Sequence, residues 1–141
     1  MINFDAQNEF VLGHSELWAS WLTEVVSTEG FVLGSLDYVF CDDNFLLELN
    51  QEFLNHDTLT DIITFDYNVG NTLHGEMYIS TQRVEENSVE YGVSMEYELA
   101  RVMVHGVLHL CGYKDKTPKD EAQMRAREDF WIANLKLLKI K

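Results

Sequence analysis

His105 and His109 stand four residues apart in the run HGVLHLCGYKD, within a stretch that is otherwise apolar. Leu99, Val102, Met103, Val107, Leu108 and Leu110 surround them, so the segment reads as a buried helix beginning at Met95. An α-helix turns once in about 3.6 residues, which puts both imidazoles on one face, roughly 5–6 Å apart. Any fold that buries this helix must give the two rings polar partners, because an unpaired buried polar group is costly. A single metal ion would satisfy both; two unrelated surface or core histidines are the plainer alternative. Gly112 can take the left-handed conformation that ends a helix, and a chain turning back there can bring the carboxylate of Asp115 to the same ion. Two imidazoles and one carboxylate are the ligands of a zinc that keeps a position open for water. The expected cofactor is therefore one Zn²⁺ per chain, held by His105, His109 and Asp115, although iron or nickel suits the same donors.

The spacing H-x-x-x-H-x-x-G-x-x-D is also that of zinc peptidases with a carboxylate as third ligand. Those enzymes place a Glu directly after the first His as general base, and here that position is Gly106. Peptide hydrolysis by that route is disfavoured.

Around this segment the chain resembles the YbeY endoribonucleases, ribosomal RNA maturation factors whose signature reads roughly H-G-x-L-H-L-x-G-Y-D-H. HGVLHLCGY, residues 105 to 113, matches it at every defined position. LNQEFLNHDTLTDIITFDY is similar to the family segment L-N-x-x-F-R-x-x-D-x-x-T-D-V-L-S-F, and His74-Gly75-Glu76 leads a strand, Met77 to Ser80, similar to G-D-I-x-I-S. With Glu98-Leu99 before the signature and Met124 and Glu128 after it, the resemblance covers roughly residues 40 to 130. It implies a zinc-dependent, single-strand-specific endoribonuclease acting in ribosomal RNA maturation or ribosome quality control. Single-stranded RNA is then the main partner, ribosomal RNA above all, with a ribosomal or ribosome-associated protein as a second. A metallohydrolase of a peptide or small molecule and a non-catalytic, ribosome-associated zinc protein stand as alternatives.

Two departures from the family pattern bear on the site. The family's third ligand is a His, where this chain has Asp115 preceded by Lys114; a carboxylate lowers the charge of the complex and makes a zinc-held water less acidic. Leu54 replaces an Arg linked to substrate phosphate. Arg101, Lys114 and Lys116 are the candidate phosphate contacts in its place. Asp61, in the family's T-D pair with Thr60, is a candidate to orient a ligand His through its second nitrogen, or a strand-entry cap. Glu76 reads as a proton acceptor or a solvated strand residue, and His56 and His74 as surface histidines. No catalytic base stands out.

Charge is unusual for a protein that handles RNA. The first 82 residues hold 14 Asp and Glu and no Lys or Arg, while residues 83–141 hold ten of each sign, so the net charge of −14 belongs to the N-terminal half. RNA would have to be met locally, where Lys114, Lys116 and Lys119 cluster beside the metal ligands, or through a basic partner.

The 141 residues, 46% hydrophobic with one Pro, suit one domain, 1–141, with a real core. The start MINFDAQNEF has neither a basic segment nor an apolar core, and no apolar run approaches the roughly 18 residues of a membrane span, so a cytoplasmic location away from membranes is expected. Cys41 and Cys111 form no motif and read as small buried hydrophobes. Periodicity predicts strands at Met1–Phe4, Leu36–Phe40, Ile62–Tyr67 and Glu76–Ser80. It predicts helices at His14–Glu29, Phe45–Phe53, Thr81–Glu90, from Met95, and from Thr117-Pro118 to about Leu138. The expected fold is α+β: a small mixed sheet covered by about five helices, with the metal-binding helix at a cleft.

Overall fold

A computed structural model describes residues 1–53 and 60–135. Leu54 and His56 lie outside the described residues, as does Leu138, the end expected for the last helix. Strand β1 (Ile2–Ala6) is followed by helix α1 (Ser15–Thr28), strand β2 (Val32–Cys41) and helix α2 (Asp43–Phe53). Strands β3 (Ile62–Asp66) and β4 (Thr72–Ser80) come next, then helices α3 (Thr81–Tyr91), α4 (Met95–Leu110) and α5 (Pro118–Ala133). The four strands form one mixed sheet in the order β1-β2-β4-β3. Strand β2 runs parallel to both β1 and β4, and β3 is antiparallel to β4. Parallel neighbours need a crossover, which α1 supplies between β1 and β2; the antiparallel pair needs only the turn around Asn68–Asn71. The expected α+β architecture is the one observed.

Strands β2 and β4 are longer than the hydrophobic pattern predicts, because Ser35 and His74 sit at a register irregularity that breaks the alternation. His74 is half-buried, not a surface residue: its Nδ1 accepts the Ser35 backbone N–H at 3.2 Å. Helix α5 ends at Ala133, short of the expected Leu138. Asn134 closes it, its side-chain amide donating to the carbonyl of Phe130 at 2.8 Å.

The main core lies between one face of the sheet and the helices α1, α4 and α5. Trp18, Trp21, Leu22, Val25 and Val26 of α1 are buried there at helical spacing, against Leu36, Tyr38 and Phe40 of β2 and Leu73, Met77 and Ile79 of β4. Leu22 is fully enclosed, so Leu22→Ala would cost about 2–5 kcal/mol. A smaller cluster of Leu46, Cys41 and Ile63, with Phe45 and Phe65 packed against it, covers the sheet under α2.

Helix α4 runs through the middle of the main core. Ser94 caps its start, its hydroxyl accepting the Tyr97 N–H at 3.0 Å. Gly106 lets α4 approach the sheet closely, since a Cβ there would stand 2.7 Å from Met77 Sδ and 3.1 Å from Ile62 Cδ1. The side of Gly106 that a peptidase base would occupy therefore faces the sheet. A Glu at this position would collide with Met77.

Candidate metal centre

Helix α4 stops in a Schellman turn: the Gly112 N–H donates to the carbonyl of His109 and the Tyr113 N–H to that of Leu108, both at 3.0 Å. Gly112 takes the required left-handed conformation, at φ 102°, as its place after the apolar run predicts. The turn sends the chain back along α4. Asp115 returns to His105, with its Oδ2 3.4 Å from Nε2 of the ring.

Two anchors hold this reversal. Asn68, in the β3–β4 turn, donates to the carbonyl of Leu110 at 3.0 Å, and the Tyr113 hydroxyl donates to Glu29 at 2.9 Å. Glu29 also accepts from Arg127 Nε at 2.6 Å and from Trp131 Nε1 at 2.8 Å. Burial pushes the Glu29 carboxyl up, but these three donors outweigh burial and leave its pKa below the usual carboxylate value.

The other ring nitrogen of His105 faces Glu128 of α5, with Nδ1 2.7 Å from Oε2. A carboxylate only accepts, so Nδ1 carries the proton there and a neutral His105 keeps its lone pair on Nε2, the atom that faces Asp115. Two acceptors at 3.4 Å repel one another unless a proton or a cation lies between them. Burial works against a charged His105. Glu128, Asp115 and Asp61 outweigh it, and the pKa of His105 is raised. The donor set thus fits a small cation of the zinc type, which would compete with a proton for the same place.

Asp61 is expected to orient a ligand His, yet at His105 that contact belongs to Glu128. Asp61 lines the same cleft, and burial first, with Glu128 nearby, raises its pKa despite His105 and two backbone N–H groups. Glu98 of α4 lines it too and is buried; burial, then Asp61, raises its pKa.

His105 and Asp115 separate two adjoining cavities. One, of about 570 Å³, opens between α3, α4 and α5 and is lined by Asp61, Tyr91, Glu98, Arg101, Arg125 and Glu128. The other, of about 310 Å³, lies toward α2 and β3 and is lined by Asn50, Thr60, Thr64 and His109. The structure therefore brings His105, His109 and Asp115 to one cavity wall, where His109 is exposed. It does not gather them further: among the described residues no three of His, Cys, Asp or Glu form a ready metal cluster.

The candidate phosphate contacts are scattered. Arg101 binds Glu128 and Asp129 at 2.7 Å each and Tyr97 at 3.2 Å, and only 12% of its side chain is exposed, so its guanidinium is committed within the protein. Lys114 lies in a shallow depression with Tyr113 and Asp120, and Lys116 is exposed on the loop; neither lines the two cavities. Glu76 accepts from the Tyr67 hydroxyl at 3.0 Å on the sheet, away from both cavities. Burial pushes both thiols, Cys41 and Cys111, up to about 12, so neither is a nucleophile at neutral pH.

With this geometry the sequence profile of the family Endoribonuclease YbeY matches residues 3–136. The chain belongs to that family. The match extends beyond residues 40–130 into the N-terminal strand and helix. The Endoribonuclease YbeY of Flavobacterium psychrophilum is 49% identical over 141 residues, covering 100% of this chain and 99% of the relative. That of Flavobacterium johnsoniae is 50% identical over 133 residues, covering 94% and 96%. Among solved structures, the solution structure of TM1509 from Thermotoga maritima superposes with a TM-score of 0.66 at 29% identity, over 96% of this chain and 89% of that one.

Glu128 is the residue that reasoning from spacing misses, since it enters there only as part of the family pattern. A signal for it exists in the sequence. The buried positions of α5 are Met124, Glu128, Trp131 and Ile132, an apolar stripe interrupted by one acid. Glu98 interrupts the stripe of α4 in the same way. An acid on a buried stripe must find a partner, and for Glu128 the partners are Arg101 and His105.

Proposed function

We propose that this chain is a zinc-dependent endoribonuclease that cuts single-stranded RNA, ribosomal RNA above all, in the cleft on either side of His105 and Asp115. Its relatives carry the name endoribonuclease, which makes RNA the substrate class and phosphodiester cleavage the reaction. The observation that carries the metal reading is His105 itself. Glu128 holds the proton on Nδ1, and the free Nε2 is turned to a carboxylate that offers it no donor. His105, His109 and Asp115 are the ligands in this reading. Zinc held there would supply Lewis acidity toward a phosphoryl oxygen and lower the pKa of a water molecule.

The chain's own residues do the positioning. Glu128 fixes the ring angle and tautomer of His105, and Arg101, bound to the other oxygen of Glu128, holds that carboxylate in place. Glu29 and Asn68 hold the reversal that carries Asp115. Gly106 supports the nuclease reading over a peptidase, since the place for a glutamate base is filled by Met77. The chain works as one domain in the cytoplasm, with a ribosomal or ribosome-associated protein as a further partner in maturation or quality control. No helix of the described residues is long and apolar enough to cross a membrane.

Elemental analysis of protein purified without chelator or nickel resin should find about one zinc per chain. The metal-loaded protein should cut single-stranded RNA, leave duplex RNA and casein intact, and lose activity with chelator. His109→Ala and Asp115→Ala should each lower metal affinity by more than the roughly 10–100-fold typical of changes outside the ligand shell. RNA cut equally by wild type and His109→Ala, or cleavage of casein alone, would overturn the reading.

A further inference from the structure

The larger cavity has features that the metal site does not use. Tyr91, the last residue of α3, lines it and is 60% exposed, so its ring is open to the cavity. Asn87 lines it one helical turn earlier, so ring and amide stand side by side on one face of α3. Across from them Arg125 of α5 lines the same cavity and is exposed. The other arginines are occupied: Arg83 by Asp43, Arg101 by Glu128, Arg127 by Glu29. Arg125 makes no ion pair or hydrogen bond among the described residues, although its charge is felt by Glu98 on the same wall. On the same wall Glu128 is bound by Arg101 and His105, so its charge is matched within the protein.

We propose that Tyr91, Asn87 and Arg125 form a subsite for one unpaired nucleotide beside the phosphate handled at His105 and Asp115. The base stacks on the Tyr91 ring, its edge meets the Asn87 amide, and the flanking phosphate is held by Arg125. Every base has a flat π-face, so such a platform tolerates sequence but needs an unstacked base. A duplex cannot present one, and the subsite therefore selects single strands. It also supplies, from α5, the cation that Leu54 cannot, in place of Arg101, Lys114 or Lys116. A guanidinium suits this role because its fork matches the phosphate oxygens. The proposal rests on the endoribonuclease reading.

Binding of a fluorescein-labelled single-stranded RNA of about ten nucleotides, and of the matching duplex, is followed by anisotropy in chelator over a range of salt. Cleavage of the same strand is then measured with zinc restored. Tyr91→Ala should weaken single-strand binding by about 5- to 150-fold, the loss of one stacked base, while Tyr91→Phe stays near wild type. Arg125→Ala should make the slope of log affinity against log salt shallower by about 0.7, the share of one phosphate on a single strand, and Arg125→Lys should keep it. All three side chains line an open cavity, and unchanged thermal melting confirms that the variants fold. If wild type cuts RNA while Tyr91→Ala and Arg125→Ala bind with its affinity and salt slope, the subsite is wrong and the nuclease reading stands. If wild type neither binds nor cuts RNA, both fail together.

Discussion

Helix α5 is pinned at two buried carboxylates, and the two are satisfied differently. Glu29, at the end of α1, receives the Tyr113 hydroxyl, the Arg127 guanidinium and the Trp131 indole. All three donors keep their protons across the physiological range, and the carboxylate has little left to accept. Glu128 receives Arg101 on one oxygen and His105 on the other. His105 is a titratable ring, and its far nitrogen faces the carboxylate of Asp115. The first knot is closed; the second transmits a demand for positive charge to a cavity wall. Each also reaches the α4–α5 connection, the first through Tyr113 and the second through Asp115 at His105, so burial alone does not make a carboxylate structural or functional. What matters is whether its donors have anything further to give.

This contrast can be broken by substitution. The largest effect should come from Glu29→Ala, which strands Arg127 and the Trp131 indole. Breaking a buried ion pair from one side costs about 3–5 kcal/mol, and the low end applies because Arg127 keeps some access to water. Urea unfolding should show that loss, with metal affinity changed far less than stability; a variant as stable as wild type would show that the Glu29 knot is not a clamp.

Glu128→Gln should do the reverse. A Gln amide can donate to Nδ1 of His105, which moves the ring proton to Nε2 and takes away the lone pair on the side of the proposed metal. Zinc affinity, measured by competition with a chelator, should fall by about 10–100-fold. Unchanged affinity would mean that Glu128 does not set the tautomer.

Gly106→Ala probes the shared wall beneath both cavities. The added methyl would press on Met77 and Ile62, and overpacking of this kind costs about 1–3 kcal/mol. A thermal midpoint equal to that of wild type would show that α4 can lift off the sheet without cost.

The smallest effect is the pH dependence of the Glu29 knot. The folded pKa of Glu29 lies below its ordinary value of 4.5, so its contribution is present above that value and is lost as pH falls through the folded pKa. Glu29→Gln should therefore flatten the acid side of the stability profile below pH 4.5. An acid limb equally steep in the variant would assign the pH dependence to other carboxylates.

The helices were readable because each buries a stripe with helical period, and the reversal at Gly112 was readable because glycine after an apolar run has few other uses. The return of Asp115 to His105, and the nearness of both to His109 on one cavity wall, were legible for the same reason, since their spacing is local. The roles of Arg101 and Glu128 were not. They lie 27 residues apart on different helices, and a surface cation and a locked one look alike in sequence. Nothing near His74 in sequence marks its partner, the Ser35 N–H, which belongs to a strand 39 residues away. The strand order was likewise invisible, since parallel pairing leaves no local mark and only the β3–β4 turn is short enough to read.

The contact between His105 and Glu128 also orders events in time. The carboxylate follows the imidazole by 23 residues, on the next helix. During synthesis His105 therefore emerges before the group that fixes its ring proton. A nascent chain complete only through α4 leaves His105 free to put its proton on either nitrogen, and Arg101 without its acid. The ring of His105 is fixed only when α5 docks, so α5 completes the cleft that the earlier described elements begin.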